Sequence, residues 1–269
     1  MEPIDWNTDM SVAVENPYPW YDSQWMMAYT YACRVIEERW PDRLAEFQEA
    51  LAPLRTSADF TTTRFASVFD EATLDELCAA VDALRRLDVK SYEKPKFGRF
   101  IVHDHPLVTS LQNEVVELVS DAAGERVEAC YNFISLYRAG GICEVHMDTP
   151  EAKWTLDLCL RQSDAWPIHI SQVVDWPVER TMRPEQDWEA EIKATPGLEF
   201  ESYALEPGEA VQFSGSSQWH YRDLQPGGSS RKFCDLVFFH FVPAGMGELV
   251  HPANWADLFG LPDLGIRPV

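Results

Sequence analysis

The sequence predicts an α+β protein in which a jelly-roll core, a double-stranded β-helix, carries an N-terminal helical annex packed on one sheet. Two observations support this prediction: helical periodicity dominates the first half of the chain, and short strand-like segments follow one another after residue 126. Helices followed by runs of strands fit a layered domain with helices on an outer sheet face. We therefore predict one domain over residues 1–269, comprising an annex at 1–125, a core at 126–243 and a tail at 244–269.

Three amphipathic segments predict the annex. Residues 22–51 repeat apolar side chains at steps of three and four, and Pro41 is expected to break the helix there. Residues 71–87 place acids in the first turn and arginines in the last, as the helix dipole favours. Residues 106–123 repeat leucine and valine on one face. Each segment has an apolar stripe, so we expect all three to cover the outside of one sheet.

The core is predicted from segments rich in Val, Ile, Phe and Tyr, several of which alternate with period two between turn residues. These segments are VEACYNFISLYRAGG, KWTLDLCLRQ, WPIHISQVV, GEAVQFSG and RKFCDLVFFHFVP. In KWTLDLCLRQ one face is entirely apolar, whereas the other carries Thr155, Asp157, Cys159 and Arg161. One of these two faces should line the interior of a cupin-like barrel.

Composition and charge limit the classes of function. The chain has 44 acidic and 22 basic residues, with a net charge of -22 at pH 7, so neither nucleic acid nor a membrane is expected as a partner. No secretion signal begins the sequence, and no apolar run approaches the roughly 20 residues of a membrane span. The six cysteines are scattered without C-x-x-C spacing. We therefore expect a cytoplasmic protein with free thiols.

A metal-ligand pattern lies within the predicted core. His146 and Asp148 occupy an extended stretch, in which residues two apart point to the same side. His220 lies at the end of a later strand-like segment, which folding could bring alongside. Two histidines and one carboxylate on a rigid barrel are the ligand set of non-haem Fe(II) oxygenases. We therefore predict that these three residues bind Fe(II).

A cation and two polar side chains are candidates for binding a second ligand. Arg231 follows His220 by eleven residues, after a Gly-Gly-Ser-Ser turn, and a buried arginine can bind a carboxylate through two parallel hydrogen bonds. Tyr137 and Asn132 lie on the first core strand. Each could contact the same ligand, or could serve only as a barrel-wall aromatic and a ladder contact, respectively.

The combined pattern resembles the iron- and 2-oxoglutarate-dependent dioxygenase superfamily over about residues 130–243. The segment YRAGGICEVHMD is similar to the Tyr-x-x-Gly-Gly-x-Tyr-x-x-His-x-Asp motif of the prolyl 4-hydroxylase branch. This chain has Cys143 in place of the second tyrosine, and Arg231 with Lys232 beside it in place of a lysine. Both departures weigh against a peptidyl-prolyl substrate more than against the cosubstrate.

The resemblance implies an enzyme that uses Fe(II), 2-oxoglutarate and O2. Arg231 would bind the far carboxylate of 2-oxoglutarate, with Lys232 or Arg222 as alternatives. Succinate and CO2 would be released, and a C–H bond of a small molecule, such as an amino acid or a natural-product intermediate, would most simply be hydroxylated. Desaturation and ring closure need the same residues. Because halogenating relatives replace the metal-binding carboxylate with a small residue, Asp148 favours oxygenation.

Three other readings of the motif remain open. One is a non-catalytic metal-binding jelly roll that acts as a sensor or scaffold, and another is a protein or peptidyl hydroxylase. The third is a cupin-type enzyme that uses the pair His103 and His105, although a helix-capping turn explains this pair better. His240 is predicted to be a core histidine. Trp219 and Arg222, which flank the distal histidine, are expected to pack without contacting the metal.

Overall fold

Two antiparallel sheets form the core of the protein. The computed structural model describes residues 24–85, 88–176, 187–225 and 232–265. Within these ranges the strands are β1 (Thr63–Phe65), β2 (Arg99–His103), β3 (Val127–Arg138), β4 (Cys143–His146), β5 (Trp154–Gln162), β6 (Ile168–Val173), β7 (Phe200–Tyr203), β8 (Ala210–Phe213), β9 (Gln218–Arg222) and β10 (Phe233–Pro243). The large sheet has the order β1-β8-β5-β10-β3-β2, and the small sheet has the order β4-β9-β6-β7.

The space between the sheets is filled from both sides. Tyr137, Cys159 and Leu236 of the large sheet and Ile168 and Ile170 of the small sheet belong to one buried cluster. The alternation along β5 therefore places Thr155, Asp157 and Cys159 inside the barrel, whereas its apolar face, with Leu156 and Leu158, joins a cluster beneath the helices. The two facing sheets with helices outside confirm the predicted α+β jelly-roll architecture.

The helices match the predicted annex segments, with shorter bounds. In the described ranges they are α1 (Gln24–Arg39), α2 (Leu44–Leu51), α3 (Glu71–Asp82), α4 (Lys94–Phe97), α5 (Pro106–Glu114), α6 (Val116–Ala123), α7 (Trp188–Lys193) and α8 (Trp255–Leu258). The first segment breaks at Pro41, as predicted, because proline lacks the amide hydrogen that a continuing helix needs. The segment 106–123 is divided at Val115, whose backbone leaves the helical region.

The annex packs on the core through two clusters. Leu77 of α3 and Val108 of α5 are buried with Leu156 and Phe239 on the outer face of the large sheet, as predicted. In contrast, α1 and α2 belong to a separate cluster that includes Val145 and Trp219 of the small sheet. The prediction that the annex covers one sheet therefore holds for residues 71–123, and the first two helices extend the cover to the other sheet.

The annex also contributes strands, which the sequence analysis did not predict. β1 pairs with β8 and β2 pairs with β3, so both extend the edges of the large sheet. All six cysteines lie within the described residues and none of them forms a disulfide. Among the same residues, no helix combines the length and the apolar character needed to cross a membrane.

Candidate metal centre

The structure brings the three predicted metal ligands together at one end of the barrel. His146 ends β4 and pairs directly with His220 on β9, and Asp148 follows two residues after His146. Nε2 of His146 lies 3.5 Å from Oδ1 of Asp148, and Nε2 of His220 lies 3.7 Å from Oδ2. One potential ligand atom from each residue lies within 4.8 Å of the other two. The juxtaposition depends on strand pairing, because the ligands come from neighbouring strands of the small sheet.

Backbone carbonyls fix the orientation of both imidazoles. Nδ1 of His146 lies 2.7 Å from the carbonyl oxygen of Glu144, and Nδ1 of His220 lies 3.0 Å from that of Gln218. A carbonyl oxygen only accepts hydrogen bonds, so each Nδ1 acts as the donor. This arrangement turns Nε2 of each ring towards Asp148, where the two nitrogens and the carboxylate could bind one cation.

The protonation of the site is strongly perturbed. Burial alone would raise the pKa of Asp148, but His220 and His146 hold it well below its usual range. Burial and the nearby His146 lower the pKa of His220 to about 4. Burial opposes the charged form of His146, yet Cys143 and Asp148 outweigh it and raise that pKa to about 10. Near neutral pH the carboxylate of Asp148 is therefore ionised and the imidazole of His220 is neutral. His146 is protonated, and a metal cation bound at this ring would replace that proton.

A glycine allows the loop before β9 to approach Asp148. The amide of Asp148 donates to the carbonyl of Gly215 over 2.8 Å. A Cβ on Gly215 would lie 2.6 Å from Oδ2 of Asp148, 2.7 Å from Oγ1 of Thr155 and 2.5 Å from the carbonyl oxygen of Ala152. The sequence analysis missed this residue, although SGSSQWH marks a tight turn directly before the strand of the distal ligand. Gly215 therefore sets how closely the carboxylate can be packed.

The predicted cosubstrate residues have different environments. Arg231 lies outside the described residues, so its role stays a prediction. Tyr137 is buried inside the barrel, where its hydroxyl accepts a hydrogen bond of 2.9 Å from Nη1 of Arg99. Asn132 lies on the opposite face of β3, where its amide donates to Thr109 and Gln112 of α5. The structure therefore does not bring Asn132 together with the metal ligands.

The two alternative cations are both paired with carboxylates. Lys232 precedes β10, and its Nζ contacts Asp164. Arg222 is two residues from His220 and lies on the same, inward face of β9, where its Nη2 donates to Asp157 over 2.6 Å. Arg222 and Asp157 are 4% and 0% exposed, so this is a buried ion pair inside the barrel. Within the described residues Arg222 is held by Asp157 on the inward face, whereas Trp219 points to the outer face, as predicted.

The other histidines have the positions that the sequence indicated, with one refinement. His103 and His105 precede α5, and Pro106 is the first residue of that helix. His240 is buried, as predicted for a core histidine, but it lies on the inner face of β10 and stacks on Tyr131 with a centroid separation of 4.1 Å. His240 therefore lines the interior of the barrel and does not belong to the packing under the helices.

Comparisons with known proteins agree with this arrangement. No protein-family model and no curated protein sequence matches the chain. Among solved structures, HygX from Streptomyces hygroscopicus, with nickel and 2-oxoglutarate bound, is similar at 11% identity and a TM-score of 0.50, covering 74% of this chain and 87% of HygX. SnoN, a non-haem α-ketoglutarate-dependent epimerase from nogalamycin biosynthesis, is similar at 14% identity and a TM-score of 0.50, covering 84% of this chain and 93% of SnoN. At these identities the likeness establishes the fold: the chain has the jelly-roll fold of the 2-oxoglutarate- and Fe(II)-dependent oxygenases.

Proposed function

We propose that this protein is an Fe(II)- and 2-oxoglutarate-dependent oxygenase that hydroxylates a C–H bond of a small molecule. The observation that carries the proposal is the triad of His146, Asp148 and His220, whose ligand atoms converge within 4.8 Å on the inside of a jelly-roll barrel. Two neutral nitrogen ligands and one carboxylate are the donor set of non-haem Fe(II) oxygenases. The fold, shared with HygX and SnoN, supports the same function.

The residues of the triad fit an Fe(II) ion. His146 and His220 would each offer Nε2, because their Nδ1 atoms are held by the carbonyls of Glu144 and Gln218. Asp148 would offer one carboxylate oxygen, and its ionised state needs no proton release on binding. Iron bound by these residues would supply activation of O2, coupled to conversion of 2-oxoglutarate to succinate and CO2 and to oxidation of the substrate. The chain's part would be to hold the ion through these three side chains.

The far carboxylate of 2-oxoglutarate needs a cation, and Arg231 is our candidate. Arg222 is engaged with Asp157, and Lys232 contacts Asp164, so neither is an unpaired cation. Cys234 and Leu236 face the barrel interior, so strict alternation along β10 would place Lys232 on the inward side as well. The choice between Arg231 and Lys232 is therefore a question of strand register, which substitution can answer.

Metal binding by the purified chain tests the first part of the proposal. Ni(II) is an inert substitute, and at a free concentration of about 100 times its Kd it should raise the free energy of unfolding by about 2.7 kcal/mol. The variants His146→Ala and His220→Ala should lose this stabilisation, whereas His169→Ala, a histidine whose Nδ1 contacts Ser202 outside the site, should retain it. Retention of full Ni(II) affinity by either triad variant would remove that residue from the ligand set.

Binding of 2-oxoglutarate to the Ni(II)-loaded chain tests the second part. A charge-assisted pair in a partly buried site contributes roughly 1.5–3 kcal/mol, so Arg231→Ala should weaken 2-oxoglutarate by about 10- to 150-fold. Ni(II) affinity should be unchanged, and Lys232→Ala serves as the matched control. If Lys232→Ala alone weakened binding, Lys232 would be the anchor. If wild-type protein did not bind 2-oxoglutarate at all, the proposed function would be wrong.

Product analysis separates hydroxylation from other outcomes of the same site. SnoN is an epimerase with the same fold, so a shared fold alone leaves the outcome open. Succinate release should depend on substrate, 2-oxoglutarate and Fe(II), and the product should gain one oxygen atom derived from O2. A product of unchanged mass would indicate epimerisation, and a loss of two hydrogens would indicate desaturation or ring closure.

A further inference from the structure

Four aromatic side chains stand together on the inner face of the large sheet. Tyr131 and Phe133 come from β3, and Phe238 and His240 come from β10. Across the strands, the rings of Tyr131 and His240 are 4.1 Å apart at 9°, and those of Phe133 and Phe238 are 4.9 Å apart at 29°. Along the strands, Tyr131 and Phe133 are 6.4 Å apart at 13°, and Phe238 and His240 are 6.2 Å apart at 17°. We call these four residues the aromatic comb.

The planes of the comb stand upright on the sheet. Ring separations across β3 and β10 are close to the spacing of about 4.7–4.9 Å between hydrogen-bonded strands, so neighbouring rings are stacked face to face. Side chains in strands project roughly perpendicular to the sheet. One face of each ring is therefore covered by its partner across the strands, and the ring edges point into the barrel.

The comb lies across the barrel from the metal ligands. His240 is the direct partner of Thr155 on β5. Oγ1 of Thr155 and Oδ2 of Asp148 both lie within 2.7 Å of the position that a Cβ on Gly215 would take. One neighbouring side chain therefore separates the comb from the carboxylate of the triad. A molecule held against the comb would be next to the metal centre.

The barrel is open at the level of the comb and closed below it. Tyr131, Phe133 and Phe238 are only half-buried although they point inward. Further along the same strands, Tyr137 and Leu236 are each 1% exposed and belong to the buried interior cluster. The comb is therefore the wall of an accessible chamber that ends at this buried cluster.

We propose that the substrate carries an aromatic ring, which lies flat across the ring edges of Phe133 and Phe238, the two half-buried phenylalanines of the comb. The edge of an aromatic ring is its positive side and the face its negative side, so upright rings complement the face of a further ring in an edge-to-face contact. A saturated ring of the same size has no such face. This inference rests on the proposed function, because it names the class of substrate that the same site would oxidise.

A matched pair of probes tests the preference directly on the full chain loaded with Ni(II) and 2-oxoglutarate. The probes are 4-(trifluoromethyl)phenol and 4-(trifluoromethyl)cyclohexanol, titrated to millimolar concentration and followed by fluorine NMR. An edge-to-face contact should favour the aromatic probe by about 2- to 12-fold. Phe133→Leu and Phe238→Leu should each reduce that ratio. Phe100→Leu is the control, since Phe100 is a half-buried phenylalanine on the helix-covered face of β2.

Each result decides the inference. Equal affinity for the two probes, failure of both to bind, or a preference that persists in both Phe133→Leu and Phe238→Leu would overturn it. Calorimetric binding of Ni(II) and 2-oxoglutarate to the same samples distinguishes this failure from failure of the proposed function. If the metal and cosubstrate bind but the aromatic preference is absent, only the substrate class is wrong. If neither binds, the proposed function itself is wrong.

Discussion

Replacing Gly215 with alanine should damage the metal centre without touching a ligand. The added Cβ would lie 2.5 Å from the carbonyl oxygen of Ala152, 2.6 Å from Oδ2 of Asp148 and 2.7 Å from Oγ1 of Thr155. Ordinary van der Waals contact begins near 3.4 Å, so each neighbour would have to retreat by about 0.7–0.9 Å. The carbonyl of Ala152 is part of the backbone, and Thr155 has a short side chain. Asp148 is therefore the group that can move.

Two quantities determine how strongly Gly215→Ala should act: the cost of overpacking and the displacement that a metal site tolerates. Overpacking a well-filled interior costs about 1–3 kcal/mol, so the free energy of unfolding of the apo protein should fall by that amount. Metal sites tolerate displacements of only about 0.2 Å, and changes to the groups that orient ligands weaken binding by about 10- to 100-fold. A shift of Asp148 several times larger than this tolerance should therefore weaken Ni(II) by at least tenfold.

Denaturant unfolding and Ni(II) titration of Gly215→Ala measure the two effects separately. Gly265→Ala is the control, because a Cβ there would meet its nearest neighbour, Ala256, at an ordinary 3.4 Å. Wild-type Ni(II) affinity in Gly215→Ala would refute the reasoning, even if stability fell, because the clash would then be relieved away from Asp148. Unchanged stability would show that the loop moves freely and that the close approach is not required.

Three further predictions concern the buried polar groups and the annex. Arg222→Met should lower the free energy of unfolding by about 3–5 kcal/mol in urea, because Asp157 is left buried without its partner, and adding Asp157→Leu should restore most of the loss. Burial raises the pKa of Asp157, so in Arg222→Met stability should be highest below the usual aspartate pKa and should decline as the pH rises through the raised value. Gln218→Leu should cost about 2–4 kcal/mol, since the side chain bonds Ser214, Thr62 and Ser171; an unchanged denaturation midpoint would contradict this. A chain that begins at residue 126 should be unfolded or insoluble, and a soluble monomer in sedimentation would show that the annex is a separate domain.

The candidate ligand pair His146 and Asp148 and the strands of the jelly roll could be predicted from the sequence because both depend on short-range regularities. His146 and Asp148 are two apart in an extended stretch, and the core segments alternate with period two. β1 and β2 were missed because they have 3 and 5 residues and are strands only through their pairing with β8 and β3. Local propensity in such short segments is too weak to distinguish them from loops within a helical half.

Burial on both faces of the large sheet explains why the sequence did not predict which face lines the barrel. The alternation of residues along β5 predicted that Asp157 and Leu156 lie on opposite faces. It did not indicate which face lines the barrel, because the helices bury the outer face as fully as the barrel buries the inner one. The aromatic comb depends in addition on the register of β10 against β3, which shifts between Phe239 and Phe241. A bulge of this kind follows from tertiary packing and has no clear signal in the sequence.

The annex is connected to the metal centre itself as well as to the outer sheet faces. Oγ1 of Thr56 lies 2.7 Å from Oγ of Ser214, the residue before the glycine that contacts Asp148. Thr62 accepts a hydrogen bond of 3.0 Å from Nε2 of Gln218, whose carbonyl in turn orients His220. The segment between α2 and β1 therefore supports the loop between β8 and β9 and the first residue of β9, the strand that carries His220. Because these contacts are polar and partly buried, their loss would leave unpaired groups beside the site as well as an exposed apolar sheet. We infer that the annex and the barrel fold as one unit, and that the geometry of the triad depends on residues that lie far outside the ligand motif.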